Sequence, residues 1–424
     1  MNVQWPDVFP AWQGTKSLAL ILLCMAMLCF PFSVAATNVA LGLMLATGVL
    51  TGLWWQGVAA LWHGYRVLSL AIAAYLGLVI IGLLWSLDPA WGMKILGRHW
   101  FWMILPVIVM LLSDVKNRSI LLFFVSLGLS LNLIYCVLQI FDVVSITLVG
   151  GSSSSNPTGH IGHTSFGFIY GIWAAWLLHT GLLCRNKLSW LLWGLASWAV
   201  VMVFLAQGKS GYIVTLVVVL FVAIRWLHET GGRRMFVILA SVLLLLFMAL
   251  ALGPGKERVV GTWQALTGTV QKQLNTDEIV AVSSATARME WWKMSYHIWL
   301  EQPLMGVGTG GFPKAVVDWQ ATHIDEGEFA VALVHPHNQY LLVMVRWGVI
   351  GLVLLLALLY FWIRAGAARS WQHSVAMPLV TLTGVALLVH GLSSSSLEEH
   401  FSTIFALVLA GTGLSENIFS DDAA

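Results

Sequence analysis

Charge is what this chain of 424 residues has least of. Its 21 Lys+Arg and 19 Asp+Glu amount to 9% of the sequence, against roughly 25% in soluble globular proteins. So low a fraction excludes an ordinary soluble domain, and with it a disordered chain, a collagen and a coiled coil. The formal net charge is only +2. No basic excess is present to neutralise a phosphate backbone, which excludes nucleic acid as a partner. Cysteine is scarce as well. Cys24, Cys29, Cys136 and Cys184 fall in or beside apolar runs with no Cys-x-x-Cys pair, so they read as small core hydrophobes and say nothing of redox compartment. What is abundant is apolar: 59% of residues, a mean hydropathy of +0.84, and repeated apolar stretches of about 20 residues that suit a bilayer as solvent.

In hydrocarbon the backbone must close its own hydrogen bonds, so each long apolar run predicts a helix. The chain therefore reads as an all-α polytopic membrane protein of about twelve spans. They fall at 17–36, 38–60, 67–86, 100–113, 118–148, 164–184, 188–206, 211–227, 235–253, 338–363, 376–394 and 401–415. The first run lacks a small-residue cleavage site and is followed closely by another span, so it reads as a retained span. Residues 1–253 would hold spans one to nine, 254–337 a large outer loop segment, and 338–424 the last three spans and a tail.

Lys and Arg mark the cytoplasmic side of short loops. With both termini cytoplasmic, eleven of the 21 basic residues lie inside, and the short outer loops keep only Lys94, Arg98 and Lys209. The segment 254–337 holds six more, along with His297, His323, His335 and His337. Within it a helix is predicted from Ala285 to Glu301, ending before Pro303 and placing Arg288, Trp291, Trp292 and Ser295 on one face.

Val334-His335-Pro336-His337-Asn338-Gln339-Tyr340-Leu341 closes this segment. Pro336 suits a helix start, which sets His337 and Asn338 near a helix N-terminus at the membrane surface. The positive end of a helix disfavours imidazolium, so His337 could serve as a base near neutral pH; a capping or interfacial histidine is the plainer reading. Lys94 and Arg98 share a helix face by i, i+4 spacing. Snorkelling to lipid headgroups would explain them. Together with Lys209 and Arg288 they could instead grip a diphosphate. Gly306-Val307-Gly308-Thr309-Gly310-Gly311 lacks both a preceding strand and the Lys-Ser/Thr of a nucleotide loop, so it reads as a sharp turn. The acidic stretch from Thr322 to Glu328 has no metal-ligand spacing, and no metal or cofactor is expected. Glu398 and Glu399, beside Ser393 to Ser396, could line the mouth of a site or be plain loop residues.

Three of these elements, taken in order, resemble the large outer loop of the bacterial O-antigen ligases. They are Ala287-Arg288 with Trp291 and Trp292, then Gln302-Pro303-Leu304-Met305-Gly306-Val307-Gly308-Thr309-Gly310, then His337-Asn338-Gln339-Tyr340-Leu341. The specific motifs cover about residues 285–345, with weaker likenesses at Trp85 to Arg98 and Gly208 to Gly211. The resemblance implies a GT-C-like glycosyltransferase in a bacterial inner membrane. Such an enzyme moves O-antigen from undecaprenyl diphosphate to a lipid A-core sugar hydroxyl on the periplasmic face, with inversion and without a metal. It implies His337 as the base and Arg288 as the holder of the diphosphate, with Lys209, Arg98 and Lys94 assisting and Asn338 and Tyr340 in support. Lys209 stands where that family carries an arginine, which keeps the charge but loses the bidentate fork. An O-antigen polymerase or a protein-glycosylating ligase shares these features. A transporter is the reading from another class; it would place ionisable groups at mid-bilayer, where Asp142, Arg346 and His390 are the candidates.

Overall fold

The computed structural model describes residues 13–144, 152–184, 186–230, 284–323 and 333–419. Apart from one bridge between Ser153 and Asn156, the regular structure among them is helical. In chain order the helices are α1 (Gln13–Cys29), α2 (Val34–Leu50), α3 (Leu53–Gly64), α4 (Arg66–Ile81), α5 (Pro89–Arg98), α6 (Ile104–Leu111), α7 (Val115–Ile140), α8 (His163–Leu183), α9 (Leu188–Leu205) and α10 (Lys209–Thr230). They continue with α11 (Ser284–Glu301), α12 (Phe312–His323), α13 (Gln339–Ala367), α14 (Met377–His390) and α15 (His400–Ile418).

Seven stretches are long and apolar enough to cross a bilayer: Pro89–Leu111, α7, α8, α9, Lys209–Glu229, α13 and α15. The pair α2 and α3, bent by 84°, makes an eighth if it is one span, and α1, α4 and α14 are shorter apolar helices. Hydropathy alone misplaced some boundaries. The run 38–60 is broken where Gly52 takes a left-handed conformation (φ 78°). The span expected at 100–113 begins at Pro89, capped by the Asp88 side chain accepting from the Trp91 N–H. Lys94 and Arg98 within its first turns hide that start from a hydropathy window. The run 118–148 ends as a helix at Ile140, and the run at 235–253 lies outside the described residues.

The helices run between two faces. At what we call the upper face, Phe30 at the end of α1 packs on Phe401 and Phe405 of α15, ring centroids 5.4 and 5.8 Å apart. There too the His390 ring reaches Thr164 O (3.0 Å) and Gln207 N–H donates to Asn156 Oδ1 (2.8 Å). At the lower face Asn417 Nδ2 donates to Tyr65 OH (2.7 Å) and Arg225 Nη2 to Arg369 O (2.8 Å). The main core fills the space between, with Trp173, Trp347, Tyr75, Tyr170 and Phe166 wholly buried. A second, small apolar cluster joins α11 and α12 to the start of α13 through Met294, Ile298, Phe312, Val316, Leu342 and Val345.

The glycine-rich stretch is a structural turn whose donors go to backbone, save Gly310 N–H, which donates to Ser86 Oγ (2.9 Å). Within α13, Gly348 leaves helical geometry (φ 62°, ψ −156°), which frees carbonyls of the preceding turn. Val307 N–H donates to Val345 O (2.9 Å), Gly308 N–H to Arg346 O (2.8 Å), and Val349 N–H to Pro303 O (2.9 Å). Gly306 and Gly308 both sit at positive φ with backbone where a Cβ would go, so only glycine fits this insertion. On its other side Thr309 donates from N to Gly82 O (3.0 Å) and from Oγ1 to Val79 O (2.8 Å), pinning the turn to α4. With these N–H groups used, the turn has none of them left to cradle a phosphate.

Candidate functional site

The site forms where α11, the approach to α13 and the 391–400 connection meet at the upper face. Asn338 caps α13: its Oδ1 accepts from Tyr340 N (3.0 Å) and Leu341 N (3.1 Å), while its Nδ2 donates to Leu392 O (3.2 Å). Gln339 ties the same two segments together, donating from N to Gly391 O (2.7 Å) and accepting at Oε1 from Leu397 N (3.2 Å). Asn338 and Gln339 are thus braces, as is Tyr340, whose hydroxyl donates to Leu388 O (2.6 Å).

His337 stands just before this cap with φ at 52°, a left-handed conformation rare for a side chain larger than glycine. Its ring is sandwiched. Trp291 stacks on one face, centroids 5.4 Å apart and 26° between planes, and the His335 ring meets it edge-on at 4.4 Å. Its backbone N–H donates to His335 Nδ1 (3.3 Å), and Trp292 Nε1 donates to Pro336 O (3.0 Å). The face of α11 that carries Arg288, Trp291, Trp292 and Ser295 is therefore the face turned to this loop. Ser295 is buried at its base, returning its hydroxyl to Trp291 O (2.7 Å).

The imidazole of His337 is held neutral. Burial lowers its pKa first, the nearby His335 and Arg288 lower it further, Glu399 opposes them, and the result is about 4. The cause differs from the helix dipole that the sequence suggests: desolvation leads, and neighbouring cationic groups follow. Its Nδ1 is buried without a hydrogen-bond partner. His335 is also lowered, by burial first, with Glu399 and Glu398 opposing. Arg288 is half-buried and shifted down by desolvation against an upward pull from Glu399.

Glu399 therefore lies within electrostatic reach of His337, His335 and Arg288 at once. Its carboxylate is held by Ser394 Oγ and by Ser402 Oγ (3.3 Å). Beside it Glu398 is fully buried against Arg346 of α13, in an ion pair whose two side chains are almost wholly shielded. Burial alone would raise the Glu398 carboxyl, but Arg346, His99 and Arg98 together hold it below its ordinary value. Of the three residues that would have hinted at a transporter, Arg346 is closed off by this pair and His390 by Ser396 Oγ (2.7 Å) and Thr164 O. Asp142 ends α7 as a left-handed residue (φ 53°) exposed at the upper face.

The other cations are placed less uniformly. Arg98 lies in electrostatic reach of His335 and Glu398. Lys94 and Arg98 both lie over the Trp91 ring, at 5.0 and 5.9 Å from its centroid, and both are exposed. Lys209 opens α10 immediately after Gly208, where a Cβ would collide with the His163 carbonyl at the start of α8. His163 in turn contributes to the field at His337, so Lys209 belongs to the same end of the bundle. The structure thus gathers His337, His335, Arg288 and Glu399, sets Arg98 beside them, and leaves Lys94 against Trp91. Residues 324–332, which include most of the acidic stretch, lie outside the described residues. Among the described residues no group of three His, Cys, Asp or Glu is arranged to hold a metal ion.

By sequence His335 carries no site role, and Glu399 is only a residue that could line the mouth of a site or be a plain loop residue. His335 is separated from His337 by one proline, and the two rings meet where His337 turns left-handed. Glu399 is 62 positions away in sequence from His337, and only the fold brings them together.

Compared with known families, residues 194–356 match the model of the O-antigen ligase family. The matched stretch takes in Lys209, Arg288, the glycine turn, His337 and Arg346. It is the family that the three sequence motifs resemble. No curated protein matches the chain.

Proposed function

From that match and this geometry we propose that the chain is an O-antigen ligase. It would transfer polysaccharide from undecaprenyl diphosphate to a sugar hydroxyl of lipid A-core, with inversion, at the periplasmic face of a bacterial inner membrane. In this reading the upper face is periplasmic, the lower face cytoplasmic, and the span complement is the twelve of a GT-C-like enzyme. The single observation that carries it is the half-buried imidazole of His337, stacked on Trp291 of the helix that also carries Arg288 and within electrostatic reach of that guanidinium.

The acceptor hydroxyl attacks the anomeric carbon from the side opposite the diphosphate. The bond from that carbon to the diphosphate oxygen breaks with its electron pair on the leaving group, and the hydroxyl proton passes to His337. One displacement inverts the anomeric centre. The nitrogen that receives the proton is Nε2, because Nδ1 is buried. Arg288 neutralises the departing diphosphate with its planar fork, and Arg98 and Lys209 add charge around it. A glycosyl diphosphate is already activated, so no nucleotide is required, and the guanidinium supplies the charge that a metal supplies elsewhere.

A base with so low a pKa is weak until the donor is seated. A bound diphosphate offsets the positive charge of Arg288, one of the groups that hold His337 down, so donor binding raises the basicity of the imidazole when a proton must be taken. Glu399 works in the same direction in the free enzyme.

The test is an assay with the purified protein, carrier-linked glycan and lipid A-core. Transfer to core supports the reading. Lengthening of the carrier-linked glycan without transfer to core would mark a polymerase, and transfer to a pilin-like protein but not to core would mark a protein-glycosylating ligase; either overturns it.

A further inference from the structure

At the lower face, on the opposite side of the bundle from His337, a cavity of about 480 Å³ opens between α3, α4, α13 and α15. The 29-residue α13 starts beside His337 and ends at this cavity, about 43 Å of helix counted along its two segments, so the two places lie at opposite ends of a membrane-spanning element. Three arginines converge on the cavity from two segments, Arg66 at the start of α4 and Arg364 and Arg369 at and just past the end of α13. His63, Tyr65 and Asn417 complete its polar wall, and among the described residues no acidic one lines it.

The arginines are not neutralised by any described residue. Among the described residues none of the three has a carboxylate within ion-pair distance. The nearby carboxylates are committed elsewhere. Glu416 accepts from Ser374 Oγ (2.6 Å) and Met377 N (2.9 Å), and Glu229 pairs with Arg225 at 2.6 Å. Arg364 reaches the Tyr360 hydroxyl at 3.4 Å, and Arg66 lies over the Trp62 ring at 5.4 Å.

Helix electrostatics suit Arg364 and Arg369 and not Arg66. Arg364, in the last turn of α13, complements that helix's negative end. Arg66 opens α4, where a cation is disfavoured, and α4 has no acidic residue in its first turn and no side-chain cap from Tyr65. A positive charge placed against the positive end of a helix, beside two more arginines and a cavity of ligand size, is an arrangement that an anion would relieve.

We propose that this cavity binds a phosphate group, presented as the headgroup of an anionic phospholipid of the adjoining leaflet. The guanidiniums of Arg66, Arg364 and Arg369 would bind its oxygens, with Tyr65 and Asn417 at hand for the glycerol hydroxyls. Binding there would clasp the ends of α4, α13 and α15; α13 and α15 start at the candidate site on the other face, and α4 ends against the glycine turn. The proposal is independent of the reaction assigned to that site.

Thermal unfolding of the full chain, purified in a non-ionic detergent, tests it. Phosphatidylglycerol in mixed micelles should raise the wild-type midpoint by a few degrees, phosphatidylcholine with the same acyl chains should not, and the triple variant Arg66→Gln, Arg364→Gln, Arg369→Gln should lose the rise. A rise with inorganic phosphate at matched ionic strength, lost in the same variant, would support the phosphate site with a soluble ligand as its source. A rise with phosphatidylglycerol that survives in the triple variant overturns the proposal, as does the lack of any rise with both probes. If the triple variant does not fold, native mass spectrometry of the wild type decides. Retention of one phosphatidylglycerol in preference to phosphatidylcholine supports the site, and equal retention rejects it.

Discussion

Trp291 lies flat against His337, centroids 5.4 Å apart, and thereby joins the outer helix α11 to the residue that starts α13. The contact does two things. It takes water from one face of the imidazole, which contributes to the burial that keeps it neutral, and it fixes the ring of a residue whose backbone is already constrained to φ 52°. Trp291→Ala should therefore impair catalysis through orientation and leave the chain inserted. A fall in transfer of about tenfold, with a higher His337 pKa by NMR of the labelled imidazole, is the expected outcome. An unchanged pKa would show that the stacking ring does not shield it.

The pH dependence follows from the same shielding. His337 has a folded pKa of about 4 against an ordinary 6.5, so the neutral base persists down to that value in the free enzyme. The acid limb of kcat/KM should therefore lie near pH 4, where an unshifted histidine would place it near 6.5. The sign for stability is the same. Between these two values the unfolded chain binds the proton more readily, so this group's contribution is present above pH 6.5 and is lost as pH falls toward 4. Rate profiles in detergent across this range check it.

Glu399 raises both histidines and Arg288 in the site. Glu399→Gln removes the charge and keeps the shape that Ser394 and Ser402 hold. The acid limb should move further down, and kcat should fall more than donor affinity, because a weaker base slows proton transfer while Arg288 loses its competing anion. A fall confined to donor affinity would assign Glu399 to donor binding instead.

Arg346 and Glu398 predict a stability effect with no direct chemical role. Each is nearly wholly buried, so removing one strands the other's charge. Arg346→Ala or Glu398→Ala should cost about 3–5 kcal/mol, read as loss of folded protein in thermal unfolding. Replacing both with apolar residues of similar volume should cost less than either alone, which a double-mutant cycle measures.

Lys209→Arg should retain more transfer than Lys209→Ala, since charge near the diphosphate is kept and a fork is gained. Equal loss in both would point to packing against the α8 start, where Gly208 touches the His163 backbone.

Much of this was legible from the sequence, for identifiable reasons. A chain so poor in charge dictates helices in lipid, and the apolar runs outside 235–253 all contain helix. Pro336 before a helix start and the one-face spacing of Arg288, Trp291, Trp292 and Ser295 are local facts, and local facts can be read from order alone. The glycine turn was legible as a turn, though not what it serves: the carbonyls it meets belong to a break at Gly348, some 40 positions on. The bend between α2 and α3 was missed because Thr51 and Gly52 hardly change an apolar window. The convergence on Glu399 was missed because it depends on α13, the 391–400 connection and α11 packing together, which no single stretch encodes. Tyr340 and Asn338, expected in support, serve through helix capping and packing.

The most direct test of the central claim separates binding from chemistry in two variants. With a labelled undecaprenyl-diphosphate glycan and lipid A-core, His337→Ala should bind donor as the wild type does and lose about 10²–10⁴ in turnover. Arg288→Ala should lose both donor affinity and turnover. Near wild-type transfer by the His337 variant would contradict the account.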